Sequence, residues 1–166
     1  MDPRLAPGVF SLQPHAYALP AWIGLTLTAV VCGGAFWKGD REQQIAAGGV
    51  LLSWLATLVL RDPRWLGTQW GAFGADVAYL LLITVIAIRS PRYWPMLSAA
   101  FQLLSVMTHV ARMIDPGVRA WAYATGGVIW SQMVIVSLGV GVWNTWRTRP
   151  YPATSDPVTE PGATRR

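Results

Sequence analysis

Five long stretches of the chain are almost free of charge, and short charged or proline-containing stretches separate them. No Asp, Glu, Lys or Arg occurs from Leu5 to Trp37, from Gln43 to Leu60, from Tyr93 to Ala111, or from Ala120 to Trp146. From Trp65 to Ile88 the one charged residue is Asp76. A helix crosses the roughly 30 Å hydrocarbon core of a bilayer with about 20 mainly apolar residues. Inside lipid the backbone has no water to bond to, so a spanning segment satisfies its own N–H and C=O groups as a helix. The pattern therefore predicts helices over 19–37, 43–61, 71–89, 93–113 and 120–146. The expected fold class is an all-α, polytopic integral membrane protein: a bundle of five transmembrane helices joined by short loops. A segment over 1–18 precedes the bundle, and a polar tail over 147–166, expected to be disordered, follows it.

The separators fit this division. Lys38 to Glu42 form a charged turn, Pro63 and Pro91 sit between arginines, and Asp115-Pro116-Gly117 is a turn sequence. Connections this short make successive helices antiparallel neighbours. Trp22, Trp37, Trp65, Trp70, Trp94, Trp121, Trp143 and Trp146 lie near predicted helix ends. Indole rings prefer the membrane interface, which reads as an aromatic belt. Trp54 and Trp130 fall inside their helices and read as packing residues. The residues before the first apolar run lack the compact basic region of a cleavable signal.

Composition narrows the class. Hydrophobic residues make up 53% of the chain and charged residues 13%, against about 25% charged in soluble domains. That is too little charge to cover a water-facing surface, and too much apolar mass for a disordered chain. Cys32 is the one cysteine, so no disulfide forms within the chain. The net charge of +5 does not point to nucleic acid, because the basic residues come singly or in pairs between apolar runs rather than as a stripe. The N-terminal side of the bundle would hold Arg4, Arg61, Arg64, Arg112 and Arg119. The other side would hold Lys38, Arg41, Arg89, Arg92, Arg147, Arg149, Arg165 and Arg166. The excess favours an outer N-terminus and a cytoplasmic C-terminus, with a bacterial inner membrane as the expected location.

Helices in lipid associate through small residues and interhelical hydrogen bonds. Gly24, Thr28 and Cys32 recur at four-residue steps in the first segment, and Gly49, Ser53 and Thr57 in the second. In the fifth, Tyr123, Gly127, Trp130, Val134, Ser137, Gly141 and Asn144 share a face. Gln132 falls on the opposite side, where facing lipid would be costly, so it is expected to touch another subunit.

The polar residues of the fourth segment are not scattered. Ser98, Gln102, Ser105, His109 and Arg112 follow steps of four and three and fall within an arc of roughly 80°. Such a stripe faces protein or water rather than lipid. Asp76 lies a few residues inside the third segment, Tyr79 sits one turn further along the same face, and antiparallel packing sets Asp76 level with His109. Tyr123 and Thr57 reach a similar depth. The candidate cluster is thus Asp76, Tyr79, Gln102, His109, Arg112 and Tyr123, a ligand- or proton-binding site. A carboxylate at such depth costs at least about 2.5–3.5 kcal/mol unless it is paired. The first reading of this cluster is a polar clasp locking the third and fourth segments together, and the ligand- or proton-binding site is the alternative.

Several chemistries lack their residues. Only His15 and His109 accompany the single cysteine, so no metal site is expected, and His109 alone is a thin basis for haem. No phosphate-binding loop or nucleophile elbow is present. No catalytic residues and no cofactor are expected. The reading favoured by the residues is a structural or accessory subunit of a membrane complex, or a homo-oligomer. The alternative is a small transport or sensing protein using the Asp-His-Arg cluster for proton or ligand handling. Expected partners are the lipid bilayer and another membrane protein or a second copy, with no nucleic acid.

Overall fold

The computed structural model describes residues 21–60, 69–115 and 117–148, and among these every regular element is an α-helix. The helices are α1 (Ala21–Lys38), α2 (Arg41–Leu60), α3 (Trp70–Arg89), α4 (Trp94–Ile114) and α5 (Ala120–Thr148). The protein is an all-α helical bundle, and four helices, α2 to α5, are long and apolar enough to cross a membrane. The shorter α1 is also apolar, at 18 residues. The segment over 1–20, the loop over 61–68 and the tail from 149 onward lie outside the described residues. The tail expectation began at 147, but Arg147 and Thr148 are helical.

Local chemistry explains the boundaries. Between α1 and α2 only Gly39 and Asp40 leave the helical state, a tighter turn than the charges suggested. A side chain on Gly39 would place its Cβ 2.3 Å from the Ala35 carbonyl oxygen, so the turn requires glycine. The Gln43 side chain accepts a hydrogen bond from the Asp40 backbone N–H at 3.0 Å, and the Asp40 carbonyl accepts from Gln44 N–H at 3.0 Å. This is the reciprocal arm of a capping box. Arg41 and Glu42 are therefore in the first turn of α2, where the acidic residue suits the helix dipole. At α4, Pro95 occupies the first turn, where its missing N–H costs nothing.

The helices form a ring in chain order, closed by α5 packing on α1, and α2 and α5 also touch across the ring. Contact registers give the directions. Gly49 faces Tyr79 and Leu82, while Gly71 faces Leu60, so α2 and α3 are antiparallel. Ser98 meets Ser137 and Gly126 meets Thr108, so α4 and α5 are antiparallel too. Gly24 faces Gln132, Gly139 faces Val31 and Gly34 faces Val142, which makes α1 and α5 parallel.

The core runs through Cys32, Ala35, Ala46, Ala47, Val50, Tyr79, Ile83, Ile86, Trp94, Val134, Ile135 and Leu138. Close approach depends on glycine at α4–α5, where a Cβ at Gly141 would lie 2.6 Å from the Trp94 indole. Trp94 is buried there rather than placed at an interface. Trp54 packs against the core. On α5 the expected face holds for Tyr123, Val134, Ser137 and Gly141, which are buried, but Asn144 is exposed.

Gln132 corrects the sequence reading. It is 7% exposed and turned toward Gly24 of α1, not outward. The reason is that α5 packs on α1, α2 and α4 at once, so the side opposite α4 is also interior. Its Oε1 is buried without a hydrogen-bond donor.

Candidate functional site

The α4 stripe points inward along its length. Ser98, Gln102, Ser105 and His109 are all buried, with His109 at 7% exposure. Ser98 Oγ and Ser137 Oγ lie 2.6 Å apart, and because Ser137 donates to the Val134 carbonyl at 2.8 Å, Ser98 is the donor between the two hydroxyls. The other three residues converge on Asp76. Gln102 Nε2 donates to the Asp76 carbonyl oxygen at 3.1 Å, and Ser105 Oγ donates to Asp76 Oδ2 at 2.7 Å. His109 Nε2 lies 3.2 Å from the same carboxylate oxygen. Three successive inward positions of α4 thus grip one residue of α3, as the matched depths implied.

Beyond the histidine the chain of bonds continues to α5. Tyr123 Oη lies 2.6 Å from His109 Nδ1, and the Gln69 backbone N–H donates to that oxygen at 3.3 Å. One assignment of hydrogens uses every link. Gln69 N–H points to the tyrosine oxygen, and Tyr123 O–H points to Nδ1. The neutral imidazole then carries its hydrogen on Nε2 and donates to Asp76, which also accepts from Ser105. Each hydrogen-bonding group follows the ordinary inventory of donors and acceptors. Adding a proton at Nδ1 reverses the outer link, since Tyr123 must then accept from the ring rather than donate to it.

Aromatic rings enclose the imidazole. Phe73 lies 5.8 Å from it between ring centres, and Tyr123 stands edge-on at 5.3 Å. Trp70 in turn meets Phe73 edge-on at 6.1 Å. The carboxylate is less enclosed: the Asp76 side chain keeps 20% of its surface exposed, against 8% for His109.

Of the six expected site residues, Asp76, Gln102, His109 and Tyr123 are joined by these bonds. Tyr79 is not in this arrangement. Three residues along a helix rotate a side chain about 60° from the starting direction, enough to turn Tyr79 from α4 to α2. There its ring packs on Gly49, and its buried hydroxyl has no hydrogen-bond partner. Arg112 directs Nη1 to the Val118 carbonyl in the α4–α5 turn. Thr57 is half-buried on α2. Ser105 and Gln69 are the additions. Ser105 was already on the polar stripe; Gln69 contributes a backbone group, which no side-chain pattern reveals.

A second polar cluster lies at the opposite end. Arg92 pairs with Asp40. Thr145 Oγ1 accepts from Gln43 Nε2 at 2.9 Å and donates to Asp40 Oδ2 at 3.3 Å, and Ser90 Oγ donates to Glu42 Oε2 at 2.8 Å. Among the described residues no group of three or more His, Cys, Asp or Glu side chains comes together to hold a metal ion. Comparison of the chain with protein-family models, with curated proteins and with solved structures finds no match.

Proposed function

We propose that this chain is a small transport or sensing protein of the cell membrane, in which Asp76, His109 and Tyr123 bind a proton or a small hydrogen-bonding ligand. The observation that carries this reading is the continuous chain from Gln69 through Tyr123 and His109 to Asp76 and Ser105. It links the start of α3 to a carboxylate about 9 Å deeper, at 1.5 Å per residue over six residues. A neutral imidazole can carry its hydrogen on either nitrogen. Its two nitrogens are held here by groups of opposite preference, a hydroxyl that can donate or accept and a carboxylate that only accepts while ionised.

Access would be from the side on which α3 begins. On the other side of the bundle the polar stripe ends at Trp94, whose buried Nε1 finds no acceptor. A bacterial inner membrane, with the N-terminus outside and the C-terminus cytoplasmic, fits the excess of basic residues on the C-terminal side. The exposed Trp22, Trp37, Trp70, Trp121, Trp143 and Trp146 fit an aromatic belt.

The second reading is an accessory subunit or homo-oligomer in which the cluster is only a clasp. It draws support from the three bonds by which α4 holds Asp76. It loses the support of Gln132, which faces α1. Purified protein in detergent separates the two. Under the site reading, tryptophan fluorescence responds to pH or to a bound ligand, and Asp76→Asn abolishes the response in a folded protein. An unchanged response in that variant, or a variant that merely melts earlier, would sink the site reading.

A further inference from the structure

The two ends of the bundle differ in charge. At the end where α1 finishes, the described residues include Lys38, Arg41, Arg89, Arg92 and Arg147 against Asp40 and Glu42. At the other end they include Arg112 and Arg119 against Asp115. The basic excess is therefore concentrated on one face, and part of it is organised by aromatic rings.

Where α1 and α5 finish side by side, exposed indoles and cations alternate. Lys38 Nζ lies 5.0 Å from the centre of the Trp37 ring and 4.3 Å from that of Trp146. Trp146 stands edge-on to Trp143 at 5.7 Å, and the Arg147 guanidinium carbon lies 4.9 Å over Trp143. Trp37 is 82% exposed, Trp146 50% and Trp143 49%. Large rings so placed do not stabilise the bundle interior. They do hold two cations against aromatic rings at neighbouring helix ends.

We infer that this Trp37–Lys38–Trp146–Trp143–Arg147 strip is a binding site for the headgroup of an anionic phospholipid. The phosphate would lie between Lys38 and Arg147, and the glycerol and upper acyl chain against the indoles. Three features favour a lipid over other occupants. The helix ends meet the membrane surface there, indole rings prefer that depth, and the face has the charge that attracts an acidic leaflet. Cations already stacked on rings lose little further freedom on meeting a phosphate, so the site is preorganised.

The test uses the full chain purified in detergent and incubated with equal amounts of phosphatidylglycerol and phosphatidylcholine. Retained lipid is read by native mass spectrometry. The wild type should retain phosphatidylglycerol in preference. Lys38→Gln and Arg147→Gln should each weaken retention roughly fivefold, the worth of one cation near an anionic surface. Arg119→Gln, at the other end, should leave it unchanged. Equal retention of the two lipids, an undiminished signal in the Lys38→Gln/Arg147→Gln double variant, or an equal loss in Arg119→Gln would overturn the proposal. So would crosslinking that finds the strip covered by a second copy and free of lipid. If the double variant fails to fold, quenching of wild-type tryptophan fluorescence by headgroup-labelled phosphatidylglycerol, and not by labelled phosphatidylcholine, gives the same decision.

Discussion

Asp40 and Asp76 lie toward opposite ends of the bundle, and their surroundings treat them differently. Asp40 sits in a turn with 38% of its side chain exposed and pairs with the Arg92 guanidinium. Thr145 and Gln43 complete that knot, which ties the start of α2 to the end of α5 and the approach to α4. Every partner there has a fixed role: the guanidinium and the amide nitrogen donate, and the carboxylate accepts. Asp76 lies inside α3, with a hydroxyl and an imidazole on its Oδ2. Both the imidazole and the tyrosine behind it can exchange donor and acceptor roles. The first cluster has one arrangement of hydrogens. The second has at least two, and that difference separates a fastening from a group that can respond to a proton.

Substitutions can break this contrast, and the largest effect is expected at Asp76. Asp76→Asn should abolish any proton- or ligand-linked fluorescence change while the protein still folds. Asp76→Leu should also lower stability by about 1–3 kcal/mol, because Ser105 and His109 lose their acceptor in a buried setting. Thermal unfolding in detergent reads the second effect. Thr145→Val is next. It leaves the fully buried Gln43 amide without its acceptor, at a cost of about 1–3 kcal/mol, yet the fluorescence response should survive. A response lost in Thr145→Val would mean that the two clusters are coupled and the contrast is false.

Tyr123→Phe should cost less, about 0.6 kcal/mol and at most about 1.7, the range for hydrogen bonds between helices in lipid. Its sharper signature is in the ring. With the hydroxyl gone, ¹⁵N spectra of His109 should show the Nε2–H preference weakened. A tautomer ratio identical to that of the wild type would sink the assigned hydrogen order. The smallest effect belongs to Arg92→Gln, because an ion pair this exposed contributes about 0–1 kcal/mol. That contribution is screened by salt, so wild-type stability should fall slightly as salt rises and the variant's should not.

Much of the architecture is legible along the chain, because lipid excludes charge so strongly. The observed α2 begins two residues before the predicted segment over 43–61, and among the described residues the other helix ends fall within two residues of those expected. The inward stripe of α4 is legible for the same reason: Ser98, Gln102, Ser105 and His109 have nowhere else to point. What escapes the sequence is direction around α3 and α5. Tyr79 shares a sequence neighbourhood with Asp76 yet turns to α2, because helices flank α3 on two sides. Gln132 looks outward only if α5 has one packed face, whereas it has three neighbours. The Asp40–Thr145–Gln43 knot joins residues more than a hundred positions apart, and no local periodicity announces such a pairing.

The position of α5 carries a consequence for how the molecule is made. Ribosomes deliver helices in order, so α1 to α4 are made before the element that closes the ring. Until α5 arrives, Ser98 lacks Ser137, His109 lacks Tyr123 and Gly24 lacks the side chain that fills its hollow. The early helices wait as an open arc with unsatisfied polar groups facing the gap. A chain truncated before Ala120 is therefore expected to be a target for membrane proteases, and pulse-chase measurement of its half-life against the full chain would show whether the last rod is the latch.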